Sequence, residues 1–431
     1  MTLTDRIIAV LDHLGIRRAH LATQLAGDVA GLVASHSARL GGVALVAPTR
    51  IDPAPFAGLA DRLLYIRPEA GMLARTAASA LPLLPEAKIA TLQGYAAEGW
   101  TDLGADRADI VDLLAAHAGG IGSVDMGAGP DQSGEVADIR YQATGAGPML
   151  LLTPMALAPS QWQPLLPALA KRFRVIALAG PKLGMLALLE ERAALTDWRR
   201  MCAGLFDDLA LSHGDRVLDV GCGSGAVAVQ FVNHTAGRNP VTALDLSPYL
   251  LGEARIAAAK AGAQIEFRQG SAEELPFADN SFAAAYTITV LEECHAGKAL
   301  AELARVVRPG GRVAVVVRAT DMHQWWNMPV SDDLRAKFSL PAQSVSADGV
   351  ASAKLYDLCL AAGFEPVRMG PYTVVSERTD GPVFAQPEAY ALSQLSPSER
   401  QDYHAAKAKA LVARTLFMTR GHHCFVGRVR A

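Results

Sequence analysis

Apolar residues follow two alternating patterns along this chain. Short continuous runs, often β-branched, are typical of buried strands, and stretches with an apolar residue every three or four positions are typical of helices. The helical pattern is clear from Leu3 to Leu14 and from Trp198 to Leu211. Strand-like runs occur at Leu40–Ala47, Arg62–Ile66, Lys88–Leu92, Met149–Thr153, Phe173–Leu178, Val217–Val220, Val241–Asp245, Phe282–Ile288 and Arg312–Val317, and Ile265–Phe277 begins as a strand and continues as a loop. This alternation predicts an α/β fold with parallel sheets.

The chain is long enough for two domains. Its 431 residues exceed the size at which a single hydrophobic core usually stops growing. Residues 119–135 are rich in Gly, Ser, Asp and Ala without apolar periodicity, and they predict a flexible linker inside the first half. A new strand-and-helix series begins near Leu188. We therefore expect one α/β domain over residues 1–187 and a second over residues 188–431.

One stretch in the second domain carries the features of a ligand-binding turn. A buried strand ends at Val220, and the glycines of Gly221-Cys-Gly-Ser-Gly225 follow before a helix begins at Ala226. Glycines let the backbone turn tightly and lie close to a ligand. The turn and the helix N-terminus direct backbone N–H groups to the space above the sheet. The stretch predicts a nucleotide-type site.

An acidic residue ends the next strand. Asp245 follows the buried run Val241–Leu244, and a carboxylate in that place can accept hydrogen bonds from both hydroxyls of a ribose. The turn also satisfies G-x-G-x-x-G/A through Gly221, Gly223 and Ala226, a pattern shared with dinucleotide-binding domains. These residues alone leave a nicotinamide dinucleotide and other adenosine-containing cofactors open.

Four further landmarks favour one family. The runs VLDVGCGSG, ALDLS, GSAEELPF with NSF, and RVVRPGGRV occur in this order between residues 217 and 313. Together they resemble the class I S-adenosylmethionine-dependent methyltransferases, and within them the branch similar to ubiquinone/menaquinone C-methyltransferases. The resemblance implies a Rossmann-like, seven-stranded sheet and S-adenosyl-L-methionine as cofactor.

The resemblance also implies roles for individual residues. The turn would hold the methionine moiety, the end of the second strand the ribose and adenine, the loop after the third strand the adenine edge, and the end of the fourth strand the methionine moiety again. In that order the implied cofactor-binding residues are Asp219, Gly221, Cys222, Gly223 and Gly225; Asp245 and Leu246; Ser271, Ala272 and Glu273; and Thr287. Ser271 stands where the family often has an aspartate.

Residues after the fourth and fifth strands are candidates for contact with the methyl acceptor. Glu292, Glu293 and His295 follow the fourth strand, and one of them could act as a base if the acceptor must lose a proton. His323, Trp325 and Trp326 follow the fifth strand and predict an apolar acceptor pocket. The alternatives are a solvated loop for the first group and a lid packed on its own domain for the second.

The first domain resembles the α/β-hydrolase family with its parts in an unusual order. Residues 1–117 resemble the part of that fold from the helix before the nucleophile elbow to the C-terminus, and residues 136–184 resemble its N-terminal strands. Joined, they would form one circularly permuted sheet. The elbow requires G-x-S-x-G, but Ala22-Thr-Gln-Leu-Ala26 places Gln24 at the serine position. The domain is therefore expected to be a catalytically degenerate scaffold, dimer surface or substrate cover.

Composition excludes several other classes. The formal net charge is −3 and no basic run occurs, so a nucleic-acid partner is not expected. No apolar run approaches membrane-spanning length, the N-terminus lacks a signal-peptide pattern, and five separated cysteines suit a reducing cytoplasm. No Cys or His spacing predicts a metal site.

We therefore expect a cytoplasmic methyltransferase with a small-molecule acceptor, most simply a C- or O-methyltransferase, and a possible homodimer through its first domain. The alternatives are a non-catalytic cofactor-binding scaffold or sensor and an NAD-dependent oxidoreductase.

Overall fold

The computed structural model describes residues 1–97, 101–180, 182–343, 345–379 and 381–430. The chain divides into two compact units, residues 1–187 and residues 188–431. Each unit has its own sheet and its own hydrophobic core. The chain is thus a tandem of α/β units.

The first unit alternates strands and helices, as the apolar pattern predicts. Its helices are α1 (Leu3–His13), α2 (Ala26–His36), α3 (Met72–Ala80), α4 (Leu103–Asp106), α5 (Ile110–Gly119) and α6 (Leu166–Leu169), and α7 (Gly184–Ala194) crosses the unit boundary. Its strands are β1 (Ala19–Thr23), β2 (Leu40–Val46), β3 (Leu63–Ala70), β4 (Lys88–Ala96), β5 (Met126–Gly127), β6 (Gln132–Val136), β7 (Ile139–Gly145), β8 (Gly147–Leu152) and β9 (Arg174–Ala179). Short 3-10 helices lie at Ser37–Arg39, Ala54–Arg62, Leu81–Leu83 and Pro159–Trp162.

Strands from both ends of this unit form one sheet. Among the described residues its order is β4-β3-β2-β1-β8-β9-β7-β6, and β5 pairs with β8. The first strand, β1, lies in the middle, parallel to β2 on one side and to β8 on the other. Strands β6 and β7 run antiparallel at one edge. Buried residues of β1, β2 and β8 contribute to cores on both faces of the sheet.

The segment expected to be a flexible linker contains ordered strands. Within residues 119–135, β5 pairs with β8 and most of β6 pairs with β7. The carboxylate of Asp125 accepts a hydrogen bond of 2.6 Å from the backbone N–H of Arg17. The expectation is corrected for these residues, because polar strand residues at a sheet edge give no apolar periodicity that a sequence pattern could detect.

The second unit follows the same alternation. Its helices are α8 (Thr196–Asp208), α9 (Ala226–His234), α10 (Pro248–Ala261), α11 (Ala296–Val306), α12 (Asp332–Phe338), α13 (Lys354–Ala361), α14 (Pro382–Ser393) and α15 (Pro397–Ala413). Its strands are β10 (Val217–Val220), β11 (Val241–Asp245), β12 (Ile265–Gln269), β13 (Phe282–Ile288), β14 (Val307–Arg318), β15 (Phe364–Ser376) and β16 (Met418–Val429).

The prediction of a Rossmann-like, seven-stranded sheet is confirmed. The described strands of this unit have the order β12-β11-β10-β13-β14-β16-β15. The first five run parallel, and β16 is antiparallel to both of its neighbours. The chain continues from β10 to β11 on one side and later returns to β13 on the other. The carboxyl ends of these strands therefore border the switch-point crevice where ligands bind in such sheets.

Residues of the two sheet faces form separate cores. Leu218 and Val315 pack in the core that includes α11, whereas Val217, Tyr286 and Val316 pack in the core that includes α8. A side chain on an alternate strand position can thus be assigned to one face, because successive residues point to opposite sides.

Local sequence fixes the helix that follows β11. The hydroxyl of Ser247 accepts a hydrogen bond of 3.2 Å from the N–H of Leu250, and Pro248 occupies the first turn. Gly262 ends the helix with a φ of +67°. The N-cap places the start of α10 at Pro248, three residues after Asp245.

No helix in the described part of the chain has the length and apolar character needed to span a membrane.

Candidate cofactor site

The glycine turn follows β10 directly and leaves no space for a side chain at Gly221. Gly221 has a φ of +76°, and a Cβ atom there would overlap with both methyl groups of Val290. The N–H groups of Gly221 and Cys222 donate to the carbonyl of Leu244, at 2.7 Å and 2.9 Å. Gly225 has a φ of +75° and precedes the first residue of α9. The turn is therefore anchored to β11 and requires glycine.

Asp245 joins the turn to the end of β11. One of its carboxylate oxygens accepts a hydrogen bond of 2.8 Å from the N–H of Gly223, and the other accepts one of 2.9 Å from the N–H of Ser247. Burial raises the pKa of this carboxyl, and these backbone donors oppose the increase. Asp245 lies at the carboxyl edge of the sheet, where the sequence predicts a ribose acceptor.

Asp219 supplies a buried carboxyl beside the turn. Its side chain is on β10, and Oδ2 has no hydrogen-bond partner among the described residues. Burial and the charge of Asp245 raise the pKa of Asp219, the neighbouring Tyr286 hydroxyl opposes the increase, and the resulting pKa is about 8. A buried carboxyl with an unused oxygen fits a cationic ligand group such as the amino group of a methionine moiety.

The pKa of Asp219 predicts a pH-dependent stability that an amide removes. Between its ordinary pKa of 3.8 and about 8, the folded chain keeps a proton that the unfolded chain has lost. The free energy of unfolding should therefore fall as pH rises through this range, by up to about 1.4 kcal/mol per pH unit from this group. We expect Asp219→Asn to remove that contribution, as urea unfolding of both proteins at several pH values would measure. A constant stability difference between them across this range would contradict the prediction.

The remaining cofactor candidates lie in two places: Leu246 is next to Asp245, and Ser271, Ala272 and Glu273 are in the loop after β12. Leu246 is 57% exposed and offers an apolar surface next to Asp245 that fits an adenine ring. Ser271 and Glu273 are committed within their loop, because the Ser271 hydroxyl accepts from the Glu273 N–H at 3.1 Å and the Glu273 carboxylate accepts from the His295 N–H at 2.9 Å. Ala272 lies between them and is half-buried.

Two candidate residues next to the turn have roles within the protein. The hydroxyl of Thr287 donates to the carbonyl of Val220 at 3.0 Å and ties β13 to β10. Cys222 is buried, and burial raises the pKa of its thiol well above the ordinary range. A thiolate is therefore not available at this position.

The candidate bases after β13 occupy structural positions. His295 is the half-buried N-cap residue of α11, and its Nδ1 accepts from the Lys298 N–H at 3.3 Å. The Glu292 carboxylate is fully buried and accepts from the backbone N–H of Arg318 at 2.7 Å. Glu293 is half exposed and lies 3.7 Å from the Arg318 guanidinium. Each of the three side chains already has a contact within the chain, and a role for any of them as a base stays a prediction.

The predicted pocket after β14 is wrong for Trp326. Its ring is fully buried in a cluster between α12, α14 and α15, with edge contacts to Phe338 and Phe384. Trp325 is 47% exposed, with the Arg335 guanidinium 4.4 Å from its ring centroid. His323 is exposed and bonded to the Ser339 hydroxyl at 2.9 Å. The alternative of a segment packed on its own unit explains Trp326, because neighbouring residues in an irregular segment can face opposite ways.

Alanine substitutions of Trp325 and Trp326 are expected to lower the free energy of unfolding by different amounts. Trp326→Ala should lower the free energy of unfolding by about 3–5 kcal/mol, since it leaves a large cavity. Trp325→Ala should cost about 1 kcal/mol or less, mainly the lost contact with a cation. Urea unfolding of the two variants measures the difference, and equal losses would contradict this assignment.

Two polar residues near the same edge were missed by sequence reasoning. Arg192 at the end of α7 and His422 on β16 both lie against Trp198. They are far apart in sequence and belong to no motif, and only their contacts with Trp198 in the folded chain bring them together. Among the described residues, no group of three or more His, Cys, Asp or Glu side chains is arranged to hold a metal ion.

Known proteins match the segment that forms this site. Residues 217–311 match a family described as a methyltransferase domain. The chain is 34% identical over 154 residues to the O-methyltransferase rstn1 of Aspergillus nomiae, and the aligned region covers 32% of this chain and 68% of that protein. It is 40% identical over 119 residues to the O-methyltransferase resE of Aspergillus sclerotiorum, with shares of 27% and 44%. It is 44% identical over 99 residues to the ubiquinone/menaquinone biosynthesis C-methyltransferase UbiE of Brucella abortus, with shares of 22% and 36%.

The fold is a Rossmann-like domain with a glycine turn and an acidic residue at the carboxyl edge of its sheet. The matches show that the chain belongs to the S-adenosylmethionine-dependent methyltransferases, whose cofactor is S-adenosyl-L-methionine. The chain spans less than half the length of two of these three relatives.

Proposed function

We propose that this protein transfers the methyl group of S-adenosyl-L-methionine to a carbon or oxygen atom of a small organic acceptor. The observation that carries the proposal is the joining of the glycine turn to Asp245 at the carboxyl edge of the sheet. Relatives named as O- and C-methyltransferases support methyl transfer to either kind of atom.

Different residues along the carboxyl edge of the second sheet would hold different parts of the cofactor. Asp219 and the turn from Gly221 to Gly225 would hold the amino and carboxylate groups, Asp245 the ribose hydroxyls, and Leu246 the adenine. The bound cofactor supplies an activated methyl group on a sulfonium sulfur. The protein has to position the acceptor and exclude water. Holding the two reacting groups in the correct geometry can supply a large part of an enzyme's rate enhancement.

Calorimetry and product analysis test this function. The purified chain should bind S-adenosylhomocysteine, and incubation with S-adenosylmethionine and a panel of phenols, enols, quinols and carboxylic acids should yield a methylated product by mass spectrometry. Binding of NAD without binding of S-adenosylhomocysteine would overturn the proposal. Cofactor binding without any methylated product from a broad metabolite extract would favour a non-catalytic sensor instead.

We further propose that residues 1–187 form a catalytically inactive, permuted hydrolase-like domain that serves as a scaffold. The amide of Gln24, at the position of the absent nucleophile, is buried, donates to the carbonyl of Ala47 at 3.2 Å and accepts from the N–H of Ala156 at 2.8 Å. Both ends of this side chain are therefore used in packing. The chain should hydrolyse 4-nitrophenyl acetate no faster than buffer does, and saturable hydrolysis that Gln24→Ala abolishes would contradict the proposal.

A further inference from the structure

A cavity of about 350 Å³ lies at the amino edge of the second sheet. Three of the residues that line it are arginines: Arg308, Arg312 and Arg428. Arg312 is level with Val217, the first residue of β10, because both align with Ala284 on β13. The glycine turn follows the other end of β10. The cavity is therefore separate from the cofactor site.

Two of these arginines lie directly opposite each other. Arg312 on β14 pairs with Arg428 on the antiparallel strand β16. Directly opposite residues place their side chains on the same face of a sheet with Cβ atoms about 5 Å apart, and like charges in these positions are destabilising. Ala314 and Val426, two positions along each strand, pack in the core on the α8 side. The fold thus places two positive charges side by side on that face.

The nearby carboxylates are paired with other arginines. Each of three acidic side chains lies within 4.0 Å of an arginine outside the opposed pair: Asp215 of Arg308, Asp208 of Arg368, and Glu365 of Arg430. Glu365 is opposite Arg428 on β15, but its carboxylate makes its ion pair with Arg430. Arg312 donates from Nη1 to a neutral acceptor, the carbonyl of Asp208, at 2.7 Å. Among the described residues, Arg312 and Arg428 therefore form no ion pair within 4.0 Å.

A doubly charged anion fits this arrangement better than a singly charged one. A carboxylate ligand carries one negative charge and would offset only one of the two guanidinium groups. A phosphate ester carries close to two negative charges at neutral pH, and its oxygens match the paired N–H groups of a guanidinium. Arg312 is half-buried and Arg428 is exposed, so a ligand can enter from solvent. The volume of the cavity is also in the range of small-molecule sites.

We propose that this cavity binds the phosphate or pyrophosphate group of a small molecule. The group lies between the guanidinium groups of Arg312 and Arg428 and offsets their repulsion, while Arg308 borders it and stays paired with Asp215. The site goes beyond the proposed methyl transfer, because it lies at the opposite edge of the sheet from the residues proposed to hold the cofactor.

Isothermal titration calorimetry of the full chain with inorganic pyrophosphate tests the site, at constant ionic strength set with chloride. We expect saturable binding of one pyrophosphate per chain. Arg312→Gln and Arg428→Gln should each weaken it by about tenfold or more, the size of a lost hydrogen bond to a charged group. Titrations with inorganic phosphate and with glycerol 3-phosphate distinguish a free anion from an organic ester. Acetate at the same concentration should not compete.

Arg200→Gln is the matched control, because Arg200 is also on the second unit, has a side chain 70% exposed, and pairs with Asp197 at 3.1 Å. It removes the same charge and should bind pyrophosphate like the wild type. Absence of saturable binding to the wild type would overturn the proposal. Equal binding by the wild type and a variant with both Arg312→Gln and Arg428→Gln would overturn it as well.

Urea unfolding separates a binding site from a structural role of the same arginines. Without phosphate and at low ionic strength, Arg428→Gln should unfold at the same urea concentration as the wild type or a higher one, because it removes a like-charge pair. Pyrophosphate should raise the unfolding midpoint of the wild type but not that of the variant. A variant that is less stable without phosphate and equally stabilised by pyrophosphate would show that Arg428 serves the fold alone.

Discussion

Replacing Asp245 by alanine is expected to lower the affinity of the chain for S-adenosylhomocysteine by about 100-fold. This corresponds to about 2.7 kcal/mol, the size expected when hydrogen bonds to a charged group are lost. The substitution removes the proposed ribose acceptor and also frees the N–H groups of Gly223 and Ser247. Isothermal titration calorimetry measures the affinity.

Two further variants make this result specific. Asp245→Asn keeps one acceptor oxygen and should fall between the wild type and the alanine variant. Asp357→Asn changes an exposed carboxylate on α13 and should leave the affinity unchanged. An alanine variant that binds within about threefold of the wild type would show that Asp245 only anchors the turn, since a charged hydrogen bond is worth more than that.

Gly221→Ala should impair folding and cofactor binding together. A φ of +76° costs an alanine about 1–2 kcal/mol, and its Cβ would overlap with the methyl groups of Val290. We expect the free energy of unfolding to fall by about 2–4 kcal/mol when overlap is added to backbone strain, and S-adenosylhomocysteine affinity to fall at least tenfold. Urea unfolding and calorimetry on the same preparation measure both quantities.

A double variant separates the overlap with Val290 from the backbone strain at Gly221. Gly221→Ala combined with Val290→Ala removes the overlap but not the backbone strain, so it should recover only part of the loss. Gly252→Ala is the control, because Gly252 lies inside α10 with open space around its Cα and should gain up to about 1 kcal/mol from helix propensity. Wild-type affinity in Gly221→Ala would mean that the turn is not at the cofactor.

Features that depend on nearby residues could be predicted from the sequence. The glycine turn and the start of α10 are set by backbone requirements within a few residues, and Asp245 follows from the order of two strands. Five strands of the second sheet follow from short runs in the sequence, and the seven-stranded sheet is what the resemblance to the methyltransferases implies. Local chemistry also makes Gln24 incompatible with a hydrolase nucleophile.

Features that depend on contacts between residues far apart in the chain could not be predicted from the sequence. Trp325 and Trp326 are neighbours in an irregular segment, and only packing against α14 and α15 decides which one is buried. His295 has the residue type of a base, but its position at the start of α11 makes it a helix cap. His422 lies opposite Arg318 only because β16 returns antiparallel beside β14.

The central position of β1 in the first sheet has a consequence for biosynthesis. During translation β1 is synthesised more than 100 residues before its neighbour β8, which ends at Leu152. Until then, one hydrogen-bonding edge of a strand with five buried residues has no native partner. Exposed apolar edges of this kind promote aggregation during synthesis. Chains truncated before β8 should therefore bind chaperones or aggregate, whereas chains that extend beyond β9 should become protease-resistant.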